Sequence, residues 1–289
     1  MDDQRIPHSS VHKDMDPHFF TDYALFSGAF RHYAAKSMEI EYQRNPNDAH
    51  KRLFTIGLYR EEYAAYEDMG AIVEAFIRFR AGELAHPVEG ILRYKDDKVL
   101  FESLFARRQI QSADDLFTAL GMLKDVEKTW RNVYPAIDCE RVLRRMCRFI
   151  YIDCKTSQSL YGVEAYNRIK HGLAFLPNGK RYLQGLPDAP AVILANRKPQ
   201  AANPYILYGL PMEGAALERR ARLIEFIQST TRALVGFYLI GRYPQFLRDD
   251  RKIDPAPTLF RLAPLISVLE FLQQLNDKPE LAGSSGASP

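Results

Sequence analysis

Beyond Asn45 and Pro46, apolar side chains return at a helical period to about residue 80, with no further proline to interrupt them. Asn45 followed by Pro46 reads as an N-cap with proline at the first helical position, so a long helix is expected over 45–80. Phe54, Leu58, Ala65, Met69, Ile72, Phe76 and Phe79 form one apolar face, and Tyr59, Tyr63, Tyr66, Gly70, Val73 and Ile77 a second. Together they make about half of the circumference apolar. Arg60, Glu67, Glu74 and Arg78 lie opposite and are expected in solvent. Glu62 falls between the two apolar faces, with Arg80 on the same line. A carboxylate there must be paired, hydrogen-bonded or protonated, because a bare buried charge costs several kcal/mol. A structural ion pair and a role in a site both fit that position.

The same periodicity recurs along most of the chain. Asp16-Pro17 repeats the cap signature and opens a helix expected to reach about Gln43. Ser112 with Asp115 starts a short helix that ends near Gly121. Pro135 opens a helix through Asp153, and another follows over 157–171, with Gly172 in place to end it. Between 173 and 212 prolines and glycines punctuate short apolar runs. Residues 191–195 and 205–208 read there as strands of a hairpin-like insertion. Helix resumes over 213–243 and again over about 257–275. The expected fold is an all-α multi-helix bundle with a small β-like insertion around 173–212.

Residues 1–15 are polar and acidic and 277–289 are rich in Gly, Ser and Pro, so both are expected to be disordered tails around one helical domain over 16–276. Met1, Asp2 and Asp3 are followed by no apolar run, so no secretory leader is expected. The apolar run 233–240 is about half of what a bilayer requires. Cys139, Cys147 and Cys154 form no Cys-x-x-Cys pair, and their spacing puts them on one helical stripe with Leu143, Met146 and Ile150. Buried free thiols in a reducing cytoplasm follow, with no metal or cofactor expected. A net charge of +3 excludes a histone-like polycation, so any contact with nucleic acid needs a local patch.

One such patch lies in residues 131–172, where basic residues outnumber acidic ones. Arg141, Arg144, Arg145 and Arg148 form a stripe opposite the cysteines, and could extend a phosphate-binding surface if their helix packs beside the 157–171 helix. A solvated helix face explains the same stripe. On the 157–171 helix, Glu164, Asn167, Arg168 and His171 share one face, and Tyr166 and Lys170 flank it. A titratable base, a neutral donor and acceptor, and cations near one turn are the parts that metal-independent RNA cleavage needs. The base activates the ribose 2′-hydroxyl, and the cations stabilise charge building on the phosphorane. A capped, solvated helix end would carry the same residue types, since cations in a last turn complement the dipole.

The stretch Tyr166-Asn167-Arg168-Ile169-Lys170-His171-Gly172 resembles the helix-end signature of the HEPN superfamily, often Arg-Asn-x-x-x-His-Gly. Asn167, His171 and Gly172 match, while Tyr166 stands where the family has arginine. The resemblance covers those seven residues and the all-helical context. It implies a commonly dimeric protein that binds or cleaves RNA in toxin–antitoxin or antiviral settings, with an antitoxin or defence partner. His171 would be the acid/base, Asn167 would orient it or the phosphate, and Arg168 or Lys170 would stabilise charge. The alternative is a non-catalytic interaction module, a relative in which Tyr166 marks lost nuclease activity. Glu83-Leu84-Ala85-His86 has the spacing of di-iron bundles, but one copy between Gly82 and Pro87 cannot build such a centre.

Overall fold

The long helix is capped by Asn47, two residues later than the sequence suggests. Its side chain accepts from the Ala49 N–H at 2.9 Å, whereas the Asn45 N–H donates back to the Glu41 carbonyl and so belongs to the preceding helix. The structure, a computed structural model, describes residues 15–24, 28–45, 47–92, 101–133, 137–158, 160–171, 175–176, 190–195, 200 and 202–244. The expected tails, Pro135, Gly172 and the helix expected over 257–275 lie wholly or almost wholly outside them.

The described helices are α1 (Met15–Asp22), α2 (Gly28–Arg44), α3 (Asp48–Arg80), α4 (Pro87–Leu92), α5 (Phe101–Arg107), α6 (Ala113–Leu120), α7 (Leu123–Val133), α8 (Cys139–Arg148), α9 (Lys155–Ser157), α10 (Leu160–Lys170) and α11 (Gly214–Arg242). Strands β1 (Phe175–Leu176), β2 (Ala191–Ala195) and β3 (Tyr205–Gly209) form an antiparallel sheet in that order, with Val192 opposite both Phe175 and Tyr208. The fold is an all-α bundle with a small β insertion.

Several element boundaries depart from the sequence reading. Within the helix expected over 16–43 the described residues give α1 and α2, and residues 25–27 between them lie outside the described residues. The helix expected from Pro135 starts at Cys139 instead, because the Asp138 carboxylate accepts from the Arg141 N–H at 3.1 Å and caps it there. Nor is that helix α-helical to Asp153. Residues Phe149–Cys154 form a π-helical turn before α9. The turn is anchored on both sides: Phe149 packs edge-on against Phe226 at 4.4 Å, and the Tyr151 hydroxyl donates to the Gln111 carbonyl. Helices α4 and α5 are too short to show a period, whereas α7 is not anticipated although Leu123, Val126 and Trp130 recur at helical spacing.

Helix α3 is the centre of the bundle. Helix α2 runs antiparallel to it, with Arg31 beside Asp68 and Met38 beside Gly57. Helix α11 runs parallel to it, with Arg220 on Glu62 and Tyr238 stacked on Phe76. From Leu58 to Ile77 nearly every α3 residue is buried, so the helix is enclosed rather than half-apolar. Glu67 and Glu74 are consequently half-buried, not solvated as expected, although Arg60 is exposed. The main core joins α3 to α7, α8 and α11. A second cluster joins Tyr59, Tyr63 and Ala64 to Val163, Tyr166, Val192 and Leu194, so the sheet and α10 share one packing unit on α3.

Candidate functional site

Helix α10 is held on α3 by its apolar side. Val163, Ala165 and Tyr166 are buried, and the Tyr59 hydroxyl donates to the Gly162 carbonyl at 3.0 Å. That docking turns the other side outward. Glu164 and Asn167 are half-buried, while Arg168, Lys170 and His171 are exposed. The four residues placed on one face by their spacing therefore share the face that leaves the core. The His171 N–H donates to the Asn167 carbonyl at 3.3 Å, so His171 closes the last turn of the helix. Arg168 makes no ion pair among the described residues, and its charge and that of Lys170 complement the helix C-terminus.

Tyr166 faces the other way. Its ring stacks on Tyr63 with centroids 5.9 Å apart, and its hydroxyl donates to Glu67 Oε2 at 2.7 Å. Burial, and then Glu67, push the phenol well above its ordinary value. Lys170 leans back over this pair, its Nζ 3.8 Å from Glu67 and 5.8 Å from the Tyr166 ring centre. Tyr166 thus packs α10 onto α3. Tyr166→Phe is expected to cost about 1 kcal/mol, the usual net worth of such a bond, in urea unfolding. A loss within error of zero would mean that Glu67 does not hold α10.

Three further carboxylates on α3 are matched in the same manner. Arg31 on α2 bonds Glu61 at 3.1 Å and Asp68 at 2.5 Å. Arg220 on α11 bonds Glu62, whose side chain is 6% exposed, and also lies 5.0 Å over the Tyr59 ring. The line shared by Glu62 and Arg80 in the sequence has no structural meaning, since Arg80 bonds Asp125. Burial holds the Glu62 carboxyl above the ordinary carboxylate range against the pull of Arg220. Sequence reasoning missed Glu61, Glu67 and Asp68 as partners. The seven-residue spacing of Glu61 and Asp68, which puts both on one side of α3, was the available signal.

The arginine stripe is not assembled with this helix end. Helix α8 packs on α6 and α7, whereas α10 packs on α3 and β2. Arg141 and Arg148 are exposed and Arg145 half-buried, but Arg144 is engaged by Asp114 at 2.5 Å and Glu140 at 2.7 Å and covers the Phe117 ring. On the opposite face the three cysteines are buried with free thiols, as their stripe suggests. Burial pushes Cys139 and Cys147 up to about 12 and Cys154 well up. Such thiols are protonated packing groups at neutral pH. Glu83 is held by Arg78 and Arg108, and no group of three His, Cys, Asp or Glu among the described residues could hold a metal ion.

The class defined so far is that of an all-α protein with an outward helix end bearing His171. No helix among the described residues is long and apolar enough to cross a membrane. No family model, curated protein or solved structure matches the chain.

Proposed function

We propose that this chain is a HEPN-like RNA-acting protein in which the outward face of α10 meets the RNA backbone. In this reading His171 is the acid/base of a cleavage that needs no metal. The observation that supports it is the exposure of His171 on the same outward face as Arg168, with Asn167 one turn behind. An imidazole there can take the proton of a ribose 2′-hydroxyl, and the guanidinium can meet the charge that builds on the phosphate. A toxin or antiviral-defence setting, and a homodimer that brings two such helix ends together, belong to the same proposal.

The burial of Tyr166 favours a second reading, RNA binding without cleavage. The signature arginine is absent, and Lys170 is drawn towards Glu67, so the exposed charge falls mainly to Arg168. The test is RNA cleavage by the purified protein in chelator. His171→Ala is expected to lower the rate about a hundredfold or more. Arg168→Ala is expected to weaken binding and reduce the salt slope by about one. Cleavage equal in wild type and His171→Ala ends the catalytic reading. Binding lost in Arg168→Ala without any cleavage supports the second, and no RNA binding at all ends both.

A further inference from the structure

The C-terminal turn of α3, helix α6 and the start of α7 enclose an open cleft of about 590 Å³. Its described walls are largely apolar, with Ile77 from α3, Phe117 and Ala119 from α6, and Leu123 from α7. Two cations border it, Arg80 at the end of α3 and Lys124 in the first turn of α7. Gly121 makes the bend between α6 and α7 at φ 58°, a left-handed conformation that favours glycine. Arg80 lies along this bare backbone, its Cδ and Nε 3.7 Å from where a Cβ on Gly121 would stand. Asp125 engages Arg80, while Lys124 is exposed and has no carboxylate partner among the described residues. The rim of the cleft therefore carries two cations, Arg80 and Lys124, against the one carboxylate of Asp125, and it opens at the N-terminal end of α7, whose dipole favours an anion.

Size and lining match the sites that take small molecules, which are roughly 300–1,000 Å³ and mostly apolar with a few polar anchors. A polynucleotide is a poor match, since its charge repeats at every unit and the walls here are hydrocarbon and ring. The cleft is also remote from the α10 helix end, because Ile77 lies about 15 Å along the α3 axis from Glu67. We infer that the cleft binds a small organic anion with an apolar body, its carboxylate or sulfonate head at Lys124 and Arg80 and its body against Ile77, Phe117 and Leu123. The inference is independent of any action on RNA.

The test is titration of the full-length protein with 1-anilinonaphthalene-8-sulfonate, followed by fluorescence and competed by decanoate. Wild type is expected to show saturable, competed binding. Lys124→Glu, on an exposed side chain, is expected to weaken it about tenfold, the effect of losing one charged contact and adding a repulsive one. Ala119→Trp fills the cleft and is expected to abolish it, with circular dichroism reporting that each variant is folded. His171→Ala is expected to bind as wild type does, which separates this site from the helix end. Wild type without saturable, competed binding overturns the assignment. So does Lys124→Glu, or a folded Ala119→Trp, that binds as tightly as wild type.

Discussion

Arg220→Met is expected to destabilise the protein by about 3–5 kcal/mol at neutral pH, because it leaves the Glu62 carboxylate buried without its counter-ion. The two groups come from α3 and α11, and the side chains are only 6% and 19% exposed, so water can do little to replace the lost partner. The pH dependence follows from the direction of the Glu62 shift. Its carboxyl sits above the ordinary value near 4.5, first through burial, and loses in this variant the attraction and hydrogen bond of Arg220 that held it down. A carboxyl raised in the folded state binds its proton there more readily than in the unfolded chain. Its contribution is therefore most favourable at acid pH and is lost as the pH rises from about 4.5 through the raised value. The deficit of Arg220→Met should accordingly be smaller at pH 5 than at pH 8. Adding Glu62→Met removes the charge as well, and the double variant is expected within about 1 kcal/mol of wild type with no extra pH slope. Urea unfolding of the three proteins at the two pH values measures this. A deficit that the second substitution does not repair would mean that Arg220 stabilises α11 by packing alone.

Trp130→Ala is expected to cost about 3–5 kcal/mol, the usual range for truncating a large ring in a core. Trp130 is 1% exposed on α7, stacks on Phe237 of α11 with centroids 5.0 Å apart, and donates its indole N–H to the Ile137 carbonyl at 2.8 Å. One side chain thus joins α7 to α11 and to the segment that leads into α8. Trp130→Phe keeps a ring against Phe237 and loses the hydrogen bond, so a smaller cost of about 1–2 kcal/mol is expected. Because this is the single tryptophan of the chain, unfolding of the variants is followed by circular dichroism rather than fluorescence. A loss below about 1 kcal/mol for the alanine variant would show that the neighbouring side chains close over the space.

What could be read along the chain was whatever neighbours in sequence decide. Ser112 caps α6 by accepting from the Asp115 N–H at 3.0 Å, and Gly121 ends it in the left-handed region, both as the residue types demand. The cysteine stripe is buried, the two main strands lie where β-branched and aromatic runs sit between turn residues, and the motif face of α10 points away from the core. Each of these rests on a period or a bond spanning a few residues, so local propensity is enough. The π-helical turn and the Asn47 cap escaped because several arrangements satisfy the local rules there, and packing or a neighbouring helix end chooses among them.

The sequence by itself determined that the chain is helical, that Glu164, Asn167, Arg168 and His171 share one side of α10, and that Glu62 must be protonated unless it finds a partner. Only the tertiary structure decided who that partner is. Arg220 stands 158 positions from Glu62, and Tyr166 stands 99 from Glu67. The choice depends on which groups are stripped of water together once α2, α10 and α11 close around α3, and desolvation by remote segments leaves no periodic trace in the chain. For the same reason Tyr166 could be singled out in the sequence, while its use as a packing anchor on α3 became visible only in the fold.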